Sequence, residues 1–189
     1  MKKFCLLWLC LNFGLYGWAA PIDIRQSVMI NGIHQWIHIK GKDSTMPVLL
    51  FLHGGPGNSA MGYADKFTHE LQRHFMVVMW DQRESGKTAT LNTSGVSLTV
   101  DVVVKDAYDM INYLRERFAQ NKIYLMGHSW GGFLALYVAA KYPDAIKGCF
   151  ALAPMVYQQR SERENPRWGD DDDDHDDDDV QADAERCLG

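Results

Sequence analysis

The segment Gly127-His128-Ser129-Trp130-Gly131-Gly132 most narrows what this chain can fold into. It joins a short apolar run, residues 123–126, to a helix-like stretch, residues 133–142, that Pro143 ends. A connection that short has to turn sharply, and residues without a Cβ let neighbouring backbone come close. Ser129 then stands at the apex, beside a helix N-terminus that favours negative charge. This is the setting of a nucleophile elbow, with Ser129 as the candidate nucleophile and Gly127, His128 and Gly131 shaping the turn.

The remaining pattern places that turn in an α/β domain. Residues 24–30 and 33–39 flank Asn31-Gly32, a two-residue hairpin turn in which both positions take positive φ. Residues 48–52, 75–80, 123–126 and 149–152 are continuous apolar runs, as expected of parallel strands covered on both faces. Helical spacing lies between them: Tyr63, Phe67 and Leu71 form one stripe, and Val103, Ala107, Ile111, Leu114 and Phe118 a longer one. The order is a hairpin followed by β-α-β-α-β-α-β, a doubly wound, mostly parallel sheet with an antiparallel start.

A second loop complements the first. His53-Gly54-Gly55-Pro56-Gly57 follows the run 48–52. Acyl transfer needs backbone N–H groups aimed at the developing oxyanion. In elbow-containing folds one comes from the residue after the nucleophile, here Trp130, and the other from a loop after an early strand, for which Gly55 is the candidate.

HGGPG, then Trp80-Asp81-Gln82-Arg83, then GHSWGG resemble the proline iminopeptidase group of α/β-hydrolases over about residues 24–157. The group usually shows DQRG-x-G-x-S; here Glu84 stands for a glycine and Thr88 for a serine. The resemblance implies an α/β-hydrolase fold and release of N-terminal proline or a similar residue from a peptide, with no metal or organic cofactor. It implies attack by Ser129, an oxyanion held by Gly55 and Trp130, and a histidine base oriented by a carboxylate. His53, Gly54, Asp81 and Arg83 would shape the loops, Asp81 and Arg83 as an ion pair. A carboxylesterase on the same fold, acting on small esters or amides, uses the same chemistry; an epoxide hydrolase would want aspartate at position 129.

The order of the triad in this fold is serine, acid, histidine. After Ser129 the only histidine is His175, inside a run of aspartates, and Asp144 comes too early to be the acid. The last strands, the cap, the acid and the base are therefore expected to be lacking from these 189 residues, and activity impaired.

The two ends differ from the body. The formal net charge is −5, yet residues 165–189 hold 11 acidic and 2 basic side chains, leaving 17 basic and 13 acidic in residues 1–164, a net of +4. Nothing there points to nucleic acid. Residues 158–189 read as a disordered acidic tail. It lacks the spacing of a calcium loop, though a non-catalytic secreted protein binding through this tail is the alternative from another class. Residues 1–20 read as a signal peptide: Lys2 and Lys3, then an apolar stretch of about 15 residues, shorter than a bilayer span, then Ala19-Ala20. Export to the periplasm or outside is expected, with no stable membrane span after cleavage. Cys149, in an apolar run, reads as a small core residue.

Overall fold

The computed structural model describes residues 21–92 and 98–155. The expected signal peptide and acidic tail lie outside them. Six strands form one sheet in the order β1-β2-β4-β3-β5-β6: β1 Ile22–Ile30, β2 Ile33–Gly41, β3 Val48–Leu52, β4 Met76–Asp81, β5 Ile123–His128 and β6 Ile146–Leu152. β1 and β2 pair antiparallel, as do β2 and β4, while β4, β3, β5 and β6 run parallel. The β1–β2 turn carries Asn31 at φ 45° and Gly32 at φ 80°, the double positive φ of a two-residue hairpin.

Alternation along the parallel strands sends side chains to two separate cores. Leu50 and Leu52 of β3 and Val78 and Trp80 of β4 face helices α3 (Val100–Arg117) and α4 (Trp130–Lys141). Leu49, Phe51, Val77 and Met79 face the opposite way, toward Ala60 and Ala64 at helix α1 (Ala64–Thr68). Each fully buried aliphatic side chain contributes about 1.5–3 kcal/mol relative to exposure. Helix α3 buries Val103, Ala107, Ile111 and Leu114 as its spacing predicts, and Thr99 caps it by accepting from the Val102 amide. Phe118 falls just past its end.

Three expectations need correcting. The stripe Tyr63-Phe67-Leu71 does not form one buried helix: α1 stops at Thr68, a separate 3₁₀ turn covers Leu71–Arg73, and Tyr63 and Phe67 are each 43% exposed. Small residues, Ala64 and Thr68, make the buried contact, because α1 lies close against the sheet. Helix α4 starts at Trp130 rather than Phe133, the elbow glycines forming its first turn. β6 begins at Ile146, and its outer half is not covered on both faces: Phe150 is 52% exposed. A short helix, α2 (Gly86–Leu91), had no sequence signal of its own.

Candidate active site

Two loops meet at the carboxyl ends of β3 and β5, which pair in parallel with Leu52 opposite Gly127. One is His53-Gly54-Gly55. The other is the turn at Ser129. Ligands of open α/β sheets bind outside these strand ends.

Ser129 has φ 54° and ψ −121°, a left-handed conformation unusual for a residue with a side chain. Such strain costs about 1–3 kcal/mol and persists only where the surroundings fix the backbone. They do so here. The Ser129 amide donates to the Leu152 carbonyl at 3.0 Å, and its own carbonyl accepts from Gly132, Phe133 and Met155. The side chain does not cap α4 and stays partly exposed.

The glycines are explained by contact. A Cβ at Gly127 would strike the Gly131 carbonyl, and one at Gly131 would strike the carbonyls of Leu52 and His53. A Cβ at Gly54 would sit 3.3 Å from the Ser129 Cβ and 3.2 Å from the His128 carbonyl. The two loops therefore touch backbone to backbone, with Gly54 against Ser129 and Gly55 one residue further on, exposed at φ 108°. His128 is exposed and Trp130 buried.

His53 is a structural member of this junction. It is fully buried; its Nδ1 lies 2.8 Å from the Gly54 carbonyl, and its Nε2 accepts the Gln82 amide at 3.1 Å and lies 2.9 Å from Ser85 Oγ. A carbonyl only accepts, so Nδ1 carries the proton and the ring is neutral. Burial pushes its pKa below the ordinary histidine value, against the opposing effects of the Gly54 bond and the Asp81 charge.

Asp81 and Arg83 do not pair with each other. Arg83 grips Asp106 of α3, Nε to Oδ2 at 2.8 Å and Nη2 to Oδ1 at 2.9 Å. Asp81 accepts from Ser59 Oγ and from the Lys87 amide at the start of α2. The end of the strand explains the correction. Alternation would put residues 81 and 83 on one face, but β4 stops at Asp81, and in the turn that follows Arg83 reaches toward α3 while Asp81 stays with Ser59 and α2. Gly86, at φ 46°, leaves space for the Asp81 carboxylate, which a Cβ would meet at 2.6–2.7 Å. The departures from the DQRG-x-G-x-S pattern also become intelligible. Glu84 sits at φ 60°, where glycine would be at ease. Thr88 supplies the hydroxyl a serine would, donating to the Asp81 carbonyl at 2.6 Å and accepting the Trp36 amide at 2.9 Å.

Gln82 and Asp106 were missed by sequence reasoning. Gln82 donates to the His53 carbonyl at 3.1 Å and accepts from the Trp130 indole at 3.4 Å. Asp106 had a readable signal: it lies on the buried face of α3, three residues after Val103 and four before Met110, where a lone carboxylate demands a cation.

A mixed sheet entered by a hairpin, with a strained serine between a strand and a helix beside a glycine loop, defines the α/β-hydrolase class. The profile of the alpha/beta hydrolase fold matches residues 47–186, and the chain belongs to that family. It is 38% identical over 141 residues to the probable aminopeptidase YbaC of Bacillus subtilis (strain 168), covering 75% of this chain and 44% of that one. It is 32% identical over 119 residues to a proline iminopeptidase of Lactobacillus helveticus (strain DPC 4571), covering 61% and 38%. Among solved structures, it is similar to a proline iminopeptidase-related protein of Thermus thermophilus, with TM-score 0.57 and 26% identity over 70% of this chain and 45% of that one. It is also similar to the epoxide hydrolase VrEH1 of Vigna radiata, with TM-score 0.56 and 26% identity over 67% and 39%. The chain thus spans less than half the length of these proteins.

Proposed function

We propose that this chain is a serine hydrolase of the proline iminopeptidase type, exported, with Ser129 as its nucleophile. The observation that carries the reading is the left-handed φ of 54° at Ser129, fixed from both sides and set against Gly54. Ser129 Oγ attacks the carbonyl of an N-terminal proline or similar residue, forming an ester as the peptide amine departs with a proton; water then hydrolyses the ester. The Trp130 amide, in the first turn of α4 where N–H groups lack helical partners, and the Gly55 amide receive the oxyanion. Serine at position 129 disfavours the epoxide-hydrolase chemistry of one structural neighbour.

Among the described residues no imidazole bonds to the Ser129 hydroxyl, and His53 is committed to Gly54, Gln82 and Ser85. His175 lies outside those residues. The 189 residues on their own are accordingly proposed to turn over slowly, retaining the rate an oxyanion site gives without its base.

The test is sequencing of the coding region through and beyond the codons for residues 155–189, followed by paired assays on the protein it encodes. Hydrolysis of proline p-nitroanilide well above that of p-nitrophenyl acetate supports the peptidase. The reverse preference makes it an esterase.

A further inference from the structure

We infer that Gln82 is a positioning residue that sets the distance between the two backbone segments carrying the proposed oxyanion amides. The inference rests on the Ser129 reading above.

Gln82 is 3% exposed, and its side chain is bonded at both atoms of its head. Nε2 donates to the His53 carbonyl, two residues before Gly55, and Oε1 accepts from the indole of Trp130. Among side chains of this shape, only a carboxamide offers a donor and an acceptor on one rigid head. Its backbone is equally fixed. The Gln82 amide donates to His53 Nε2, and its carbonyl accepts from the Ser85 amide and hydroxyl. Gln82 therefore joins three strand ends: β3 through His53, β4 through its own backbone, and the elbow after β5 through Trp130.

The two loops otherwise meet through glycine, where Gly131 lies against the Leu52 and His53 carbonyls and Gly54 against Ser129. Such contacts limit how close the loops come but impose no direction. The Gln82 bonds supply it, and because they are buried, water cannot replace them without cost. An oxyanion donor is worth about 10²–10³ in rate, and a misplacement of about 1 Å can cost about 10². A clamp on donor spacing therefore acts on the rate of the covalent step.

The experiment follows modification of Ser129 by a fluorophosphonate in the full chain, at a temperature where each variant is folded by circular dichroism. The serine oxygen bonds to phosphorus as the P–F bond breaks, fluoride leaving and the hydroxyl proton passing to water. Gln82→Met keeps the length and loses both bonds. It is expected to label about 10–100-fold more slowly than wild type, with faster hydrogen exchange at the Trp130 indole. A merely structural role would lower the unfolding temperature and leave the labelling rate of the folded population unchanged. Should Gln82→Met not fold, Trp130→Phe, which removes the indole donor together with part of its buried ring and keeps the backbone amide, is expected to show the same slowing. Folded variants that label at the wild-type rate overturn the inference and leave the nucleophile standing. A wild type that does not label, or a Ser129→Ala variant that labels equally, overturns the nucleophile and this inference with it.

Discussion

Arg83 and Asp106 form a two-pronged ion pair inside the molecule, 5% and 0% exposed, with the Asn31 side chain donating a third bond to the same carboxylate at 2.7 Å. One cluster thereby ties the β1–β2 turn, the loop after β4 and helix α3. The direct bonds to Asp106 raise the Arg83 pKa further, against the opposing effect of burial, so the guanidinium keeps its charge. Its position behind Gln82 gives the DQR segment two directions of pull, outward to α3 and inward to the elbow.

Removing one partner strands a buried charge. Asp106→Ala is expected to destabilise the fold by about 3–5 kcal/mol, whereas Arg83→Met combined with Asp106→Leu recovers most of that loss. Urea unfolding of both variants checks this; a single variant within about 1 kcal/mol of wild type, the scale of an exposed pair, contradicts it.

The elbow glycines are limited by space, and other glycines are not. Gly131→Ala forces a methyl into the Leu52 and His53 carbonyls and is expected to cost about 3 kcal/mol or more. Gly62, with nothing within 4 Å of its added Cβ, accepts alanine with a change of about 0.5 kcal/mol or less. Thermal unfolding of the pair reads the contrast, and equal losses would count against a packing cause.

Glu84 holds a left-handed backbone despite its Cβ. That conformation costs about 1–2 kcal/mol, partly offset in a glycine variant by extra freedom of the unfolded chain. Glu84→Gly is expected to stabilise the protein by about 0.5–1 kcal/mol, measured as a raised denaturant midpoint at unchanged slope.

The neutrality of buried His53 sets a pH dependence. Its folded pKa is lowered from 6.5, so below that value the unfolded chain takes up a proton that the folded chain refuses. Its contribution is therefore flat above 6.5 and turns destabilising as pH falls below 6.5 toward the folded pKa. Unfolding free energies at a series of pH values should show this decline, and His53→Gln should flatten it. A decline of the same slope in His53→Gln would assign the effect elsewhere.

Much of the fold is legible in the sequence because strand burial leaves a continuous apolar run. The run Val48–Leu52 has the same limits in sequence and structure, and Asn31-Gly32 marks the hairpin by the positive φ both residues adopt. Helix α1 is misleading because Tyr63 and Phe67 carry a helical spacing without being buried. The elbow is legible in its glycines, since close backbone approach excludes a Cβ. The partner of Arg83 is not, because a cation in a loop does not announce whether the carboxylate two residues before it or the one 23 residues later will meet it. Gln82 is hidden for a similar reason: its role depends on the convergence of three strand ends that are distant in sequence.

Ser129 is the residue on which the proposed chemistry depends, and mass spectrometry of the fluorophosphonate-treated chain tests it most directly. Slow formation of a single adduct is predicted, located on the peptide containing Ser129 and lost in Ser129→Ala. An adduct elsewhere, one that persists in Ser129→Ala, or none after prolonged exposure would contradict the assignment of Ser129 as nucleophile.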